Sequence, residues 1–278
     1  MQPHESGQEL TQAEVVSWTA GWEEIQERIG PRFARSEQRQ RVRRYVEGLL
    51  SPIERKNGWQ LAEYASEARP YGMQRLLADA KWDADAVRDD LCTSVLEHLS
   101  DPRAVLVIDE SGLLKQGTKS VGVKRQYSGT AGRIEHCQLG VLLTYAAPKG
   151  HVLLDRELYL PREWADDAER RREAGVPQEI RCATKPQLAQ RMLARALAAA
   201  VPAAWVTGAS IYGGTRRLRV WLEQHEHPVV LAVTSDEPLW AVLDGRWGQA
   251  RADVLAAQVP DDGWHRLSAG QGANGPRW

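Results

Sequence analysis

The chain has 278 residues, is 42% hydrophobic and 26% charged, and carries a formal net charge of −1. Such a balance suits one large or two modest globular domains with a sizeable core, and it excludes a globally basic nucleic-acid binder, so any such contact must come from local charge. Cys92, Cys137 and Cys182 are widely spaced and form no CxxC pair, which argues against a disulfide framework or a zinc site and fits a reducing cytoplasm.

The first ten residues, MQPHESGQEL, have neither the basic start nor the apolar run of a signal peptide,. No later stretch is long and apolar enough to span a membrane. Residues 11–29 carry Val15, Trp18, Trp22, Ile25 and Ile29 at helical spacing and stop at Gly30-Pro31,. Further helices are expected over 35–50, 53–66 and 84–99, the last capped by Asp83 and closed by Asp101-Pro102,. The texture changes at Arg103. AVLVID (104–109) reads as a short buried strand, and residues 119–127, 136–146 and 151–160 read as a meander turning at Pro148-Lys149-Gly150,. After a polar, arginine-rich stretch (161–185) come a helix (187–200), a short strand (203–207), a helix (214–225) and a buried strand (228–233).

That order predicts an α/β protein. A helical N-terminal region (1–102) precedes an RNase H-like mixed-sheet domain (103–235), incomplete at the C-terminus. Residues 236–278 mix Trp, Gly and Asp and resist assignment.

Ligands of such sheets gather at the carboxyl ends of strands. Two ends are informative here: Asp109, and the segment Gly208-Ala209-Ser210-Ile211-Tyr212-Gly213-Gly214 after the 203–207 strand. In an RNase H-like sheet these strands are neighbours. Acidic side chains at both ends would share divalent cations, the arrangement that serves phosphodiester chemistry. Glu110 should face away from Asp109 by strand alternation, which favours a structural role. Asp236 and Glu237 follow the next strand and are weaker alternatives as ligands. Ser111 and Ser210 lack a histidine partner, and Lys115-Gln116-Gly117-Thr118-Lys119 lacks phosphate-loop spacing,.

IDESGLLKQGTKSVGVKRQYSGTAGRIEHCQLGV, DRELYLPREWADDAERRREAGVP with the following ATKPQLAQRML, and LLSPIERKNGWQLAE closely resemble blocks of insertion-sequence transposases of the DDE superfamily endonuclease group. The resemblance runs from about Arg32 onward. It implies an RNase H-like catalytic core, a helical DNA-binding region, Mg²⁺ or Mn²⁺, and DNA strand cleavage and transfer at terminal inverted repeats, with a homodimer as the candidate assembly. Carried over by residue, Asp109 matches the first catalytic Asp and metal ligand. The second Asp is expected where this chain has Ala209, and the third member, a Glu, is expected beyond Trp278. Residues 236–278 would then begin a truncated insertion subdomain. Without those carboxylates the expectation is a DNA-binding protein unable to perform transposition chemistry. The alternatives are a scaffold repurposed for regulation or another enzymatic role, and an engineered inactive variant of an active transposase.

DNA contact is expected from two basic segments. Residues 28–56 hold eight arginines and Lys56 against three glutamates, with Arg35, Arg39, Arg43 and Arg44 the candidates. Residues 111–133 contain no acid; Lys115, Lys119, Lys124 and Arg125 flank the Asp109 strand. Arg216 and Arg217 begin a helix and could approach phosphate. A solvated helical surface is the competing reading for each group.

Overall fold

A computed structural model describes residues 11–243 and 245–265, with the short paired segments 271–272 and 275–276. It forms two compact units, Met1–Ser100 and Asp101–Trp278. The reading of 236–278 as an insertion falls partly outside the described residues. No described helix is long and apolar enough to cross a membrane.

The first unit is helical: α1 (Gln12–Ile29), α2 (Ser36–Leu50), α3 (Gly58–Tyr64), α4 (Tyr71–Ala78) and α5 (Ala84–Leu99). A reciprocal cap starts α1, in which Thr11 and Glu14 satisfy each other's backbone N–H groups,. Asp83 caps α5 by accepting from the N–H groups of Asp85 and Ala86,. The expected helix over 53–66 begins only at Gly58, because Asn57 supplies the cap that stops the helix from starting earlier. The helix α4 escapes sequence reading because its eight residues are too short for a clear period,. The apolar stripe of α1 is buried only towards its C-terminal end: Ile29 is buried, whereas Val15 and Trp18 are exposed.

The second unit opens with β1 (Val105–Leu114), β2 (Lys124–Ser128), β3 (Arg133–Ala147) and β4 (Gly150–Tyr159). The short helices α6 (Arg162–Ala165) and α7 (Ala168–Glu173) occupy the arginine-rich stretch. Then follow α8 (Lys185–Ala198), β5 (Trp205–Gly208), α9 (Ser210–Gly213), α10 (Arg216–Gln224) and β6 (Val229–Leu231). A hairpin, β7 (Pro238–Leu243) with β8 (Arg246–Arg251), and α11 (Ala252–Ala256) come last among the longer elements.

In the main sheet β1 is antiparallel to β3 and parallel to β5, β5 is parallel to β6, and β4 and β2 both pair with β3. This mixed sheet, with an antiparallel meander on one side and parallel strands on the other, is an RNase H-like α/β fold. Its core follows the two-residue period of strands. Cys137, Leu139, Val141, Leu143 and Tyr145 of β3 are all buried, with Leu106 and Ile108 of β1 and Val206 of β5. Against them α8 presents Leu188, Ala189, Met192, Leu193 and Ala196, a stripe at helical spacing. The helix is started by a Thr184–Gln187 capping box and Pro186 in its first turn,. The opposite face is more open: Trp205 and Val230 are exposed.

Candidate active site

Strand β1 does not end at Asp109, as the apolar run suggests, but continues to Leu114. The reason is its antiparallel partner, which keeps pairing with it from Asp109↔Leu142 to Leu114↔Cys137 and so supports residues that are not apolar. The parallel pairing with β5 does stop at this level: its last register pair is Ile108↔Gly208. Asp109 and Ala209 are therefore each one residue beyond the last parallel pair, at the same carboxyl edge. Asp109 is exposed, and its carboxylate accepts from the N–H of Glu110 at 2.8 Å. Ala209 has extended backbone (φ −66°, ψ 170°) and leads directly into α9.

The turn after β5 is tight. A Cβ on Gly208 would lie 3.3 Å from the Ile108 carbonyl oxygen, and one on Gly213 would overlap the Ala232 carbonyl oxygen. Glycine at 213 thus lets α9 sit directly against the chain leaving β6.

Glu110 turns to the helix-covered face, as alternation dictates. Its two carboxylate oxygens accept from Lys185 Nζ at 2.7 Å and from the Tyr212 hydroxyl at 2.7 Å. Lys185 begins α8 and Tyr212 lies in α9, so one carboxylate ties three elements together at the carboxyl edge. Tyr212 is fully buried. Burial, then the hydrogen bond and charge of Glu110, then the charge of Asp109, push its phenol well above the usual tyrosine range,. These residues are separated by 75 and 102 positions from Glu110, and no local pattern in the sequence links them.

Of the weaker acidic alternatives, Glu237 is ion-paired. Glu237 accepts from Arg219 at 2.9 Å, and Arg219 also donates to the carbonyl of Gly213. The carboxyl of Asp236 is held below its usual range by the Thr234 hydroxyl and its own backbone N–H. Among the described residues, the one grouping with the spacing of a metal site is Glu24, Glu97 and His98, in the helical unit. Arg28 already binds both of those carboxylates, at 3.0 and 2.6 Å, which favours a structural role. Among the described residues at this sheet edge, Asp109 is a carboxylate without an ion-pair partner, Ala209 offers no oxygen ligand and Glu110 is held by Lys185 and Tyr212, a set that does not fit a pair of divalent cations.

The candidate DNA-contacting residues divide in two. Arg39 donates to the Phe33 carbonyl at 2.9 Å, Arg44 to that of Ala65 at 2.8 Å, and Arg43 binds Glu23 and Glu47. Lys119 pairs with Glu173 at 3.4 Å, and Lys124 pairs with Glu163. By contrast Arg35, Lys115, Arg125, Arg216 and Arg217 have no side-chain hydrogen bond or ion pair among the described residues, and all but Lys115 are exposed. Arg216 and Arg217 form the start of α10.

Residues 28–255 match the family model described as DDE superfamily endonuclease. The chain is also similar to the probable transposase for insertion sequence element IS701 of Microchaete diplosiphon, with 27% identity over 167 residues. That match covers 60% of this chain and 41% of the relative, so the aligned part is about two fifths of the relative's length.

Proposed function

From the premise that the chain belongs to the DDE superfamily endonuclease family, we propose that it is a transposase-derived DNA-binding protein that does not cleave DNA. The observation that carries this reading is Ala209, which like Asp109 is one residue beyond the last parallel pair of β1 and β5. Bound Mg²⁺ or Mn²⁺ would supply Lewis-acid activation and charge stabilisation in the family's strand cleavage and transfer. Alanine offers such an ion no oxygen. Glu110 and Glu237 are held by Lys185, Tyr212 and Arg219, so neither is free to replace the missing ligand. Losing one preorganised charge interaction of this kind costs about 10²–10³ in rate.

In this reading residues 1–102 form a DNA-binding region, 103–235 the former catalytic core and 236–278 part of an insertion subdomain. The partner is DNA carrying the terminal inverted repeats, the assembly a homodimer and the location the cytoplasm. The test uses the full chain and labelled inverted-repeat DNA. A band shift at low salt, where electrostatic affinity is greatest, is expected without cleavage in Mg²⁺ or Mn²⁺. Absence of a shift sinks the DNA-binding claim. Metal-dependent cleavage that disappears in Asp109→Ala sinks the claim of inactivity.

A further inference from the structure

A concave surface elsewhere in the second unit shares no lining residue with the Asp109 edge. Val121, Leu158, Leu160, Val176, Ile180 and Leu188 wall a cleft of about 300 Å³ between β4, α8 and the loop after α7. That volume is at the lower end for small-molecule sites.

The loop wall is pinned from behind. Arg171 donates to the carbonyl oxygens of Ala165 (3.3 Å), Pro177 (2.9 Å), Gln178 (3.4 Å) and Ile180 (2.8 Å). A wall held this way is preorganised, so a ligand need not order it. Leu158 and Ile180 are still 45% and 43% exposed, leaving apolar surface that a ligand would cover.

The charge of the lining is one-sided. Arg181 and Arg191 both line the cleft and are exposed, and neither has a side-chain hydrogen bond or ion pair among the described residues. The acid in the lining, Glu157, is already bound by Arg195 at 2.6 Å. Two unpaired guanidinium groups beside an apolar wall complement a ligand with an apolar body and an anionic head.

We propose that this cleft binds a small monoanionic amphiphile. Its aliphatic or aromatic body covers Leu158 and Ile180, and its carboxylate or comparable head is recognised by Arg181 and Arg191. This site is independent of DNA cleavage and stands whether or not Asp109 binds a cation.

The probe is radiolabelled decanoate in equilibrium dialysis with the full chain, with 1-decanol as the neutral control. Cys182 provides a local readout, since it is exposed and lies between the lining residues Arg181 and Ala183. Saturable decanoate binding is expected, together with slower alkylation of Cys182 by iodoacetamide, while 1-decanol has little effect on either. The double variant Arg181→Gln/Arg191→Gln should keep its melting temperature and lose about tenfold or more in decanoate affinity, as befits the removal of charge-assisted hydrogen bonds. Equal effects of decanol and decanoate, unchanged affinity in the double variant, or no decanoate binding would each overturn the proposal. So would a double variant that weakens duplex DNA binding while the parent chain leaves decanoate unbound, because the arginines would then belong to a DNA surface.

Discussion

Just beyond the parallel pairing of β1 with β5, two adjacent acids have opposite environments. Asp109 faces solvent, whereas Glu110 is gripped by Lys185 and Tyr212. Tyr212→Phe removes one donor to a partly buried carboxylate and should cost about 1–3 kcal/mol, measured by urea denaturation at neutral pH. The same residue sets a pH dependence. In the unfolded chain tyrosine ionises near pH ~10, but in the fold Tyr212 is held protonated to higher pH. Its contribution to stability is therefore complete at neutral pH and falls as the pH rises above ~10. Tyr212→Phe should flatten that part of the stability curve; an unchanged slope would show that Tyr212 is free to ionise. At the next residue of α9, Gly213→Ala places a methyl group on the Ala232 carbonyl. The expected loss is about 1–3 kcal/mol, seen as a lower melting temperature.

Among the elements, α8 is fastened to the sheet by more than its apolar stripe. Its Arg195 donates to Asp155 at 2.8 Å and to Glu157 at 2.6 Å, both on β4. Burial opposes the guanidinium charge, but the two carboxylates outweigh it and hold the Arg195 pKa above its usual value. Asp155 is itself buried. Arg195→Met keeps the side-chain volume and removes the charge, leaving that carboxylate poorly compensated. The expected cost is about 3 kcal/mol, at the lower end for a broken buried pair because Arg195 is partly solvated and Arg156 lies 3.9 Å from Asp155. Thermal denaturation with and without a compensating Asp155→Asn change would check it, since a true coupling makes the two losses non-additive.

For the whole molecule, the net charge of −1 means that the proposed DNA affinity would have to come from the cations left free by folding. Among the described residues Lys115 and Arg125 have no side-chain hydrogen bond or ion pair, whereas Arg43 is bound to Glu23 and Glu47. Lys115→Gln/Arg125→Gln should weaken binding to inverted-repeat DNA and lower the slope of log affinity against log salt by about one for each phosphate no longer neutralised. Arg43→Gln should instead lower the melting temperature and leave the slope unchanged. Fluorescence anisotropy across a salt series separates these outcomes, and a changed slope in Arg43→Gln alone would reverse the assignment.

Most of the fold was legible in the sequence because its signals are local. The five buried residues of β3 alternate, the α8 stripe repeats at helical spacing, and Asp83 and Gly30-Pro31 mark helix ends,. The family was also legible, in long blocks such as IDESGLLKQGTKSVGVKRQYSG. Short helices such as α4 and the continuation of β1 to Leu114 were not legible, because tertiary pairing rather than periodicity supports them. The candidate site divides the same way. Asp109 is legible as the acid that closes the apolar run 104–109, and Ala209 through the resemblance of its segment to the family. Which acids remain free and which arginines can reach phosphate depends on partners brought from distant parts of the chain: Lys185 and Tyr212 to Glu110, Arg219 to Glu237, Glu23 to Arg43. The sequence by itself determined the order of the longer helices and of the main-sheet strands, because backbone propensity and apolar periodicity act over a few residues,. The tertiary structure alone decided which of the charged groups are neutralised, because ion pairing depends on distance in space, and that distance is set only when the sheet and helices pack.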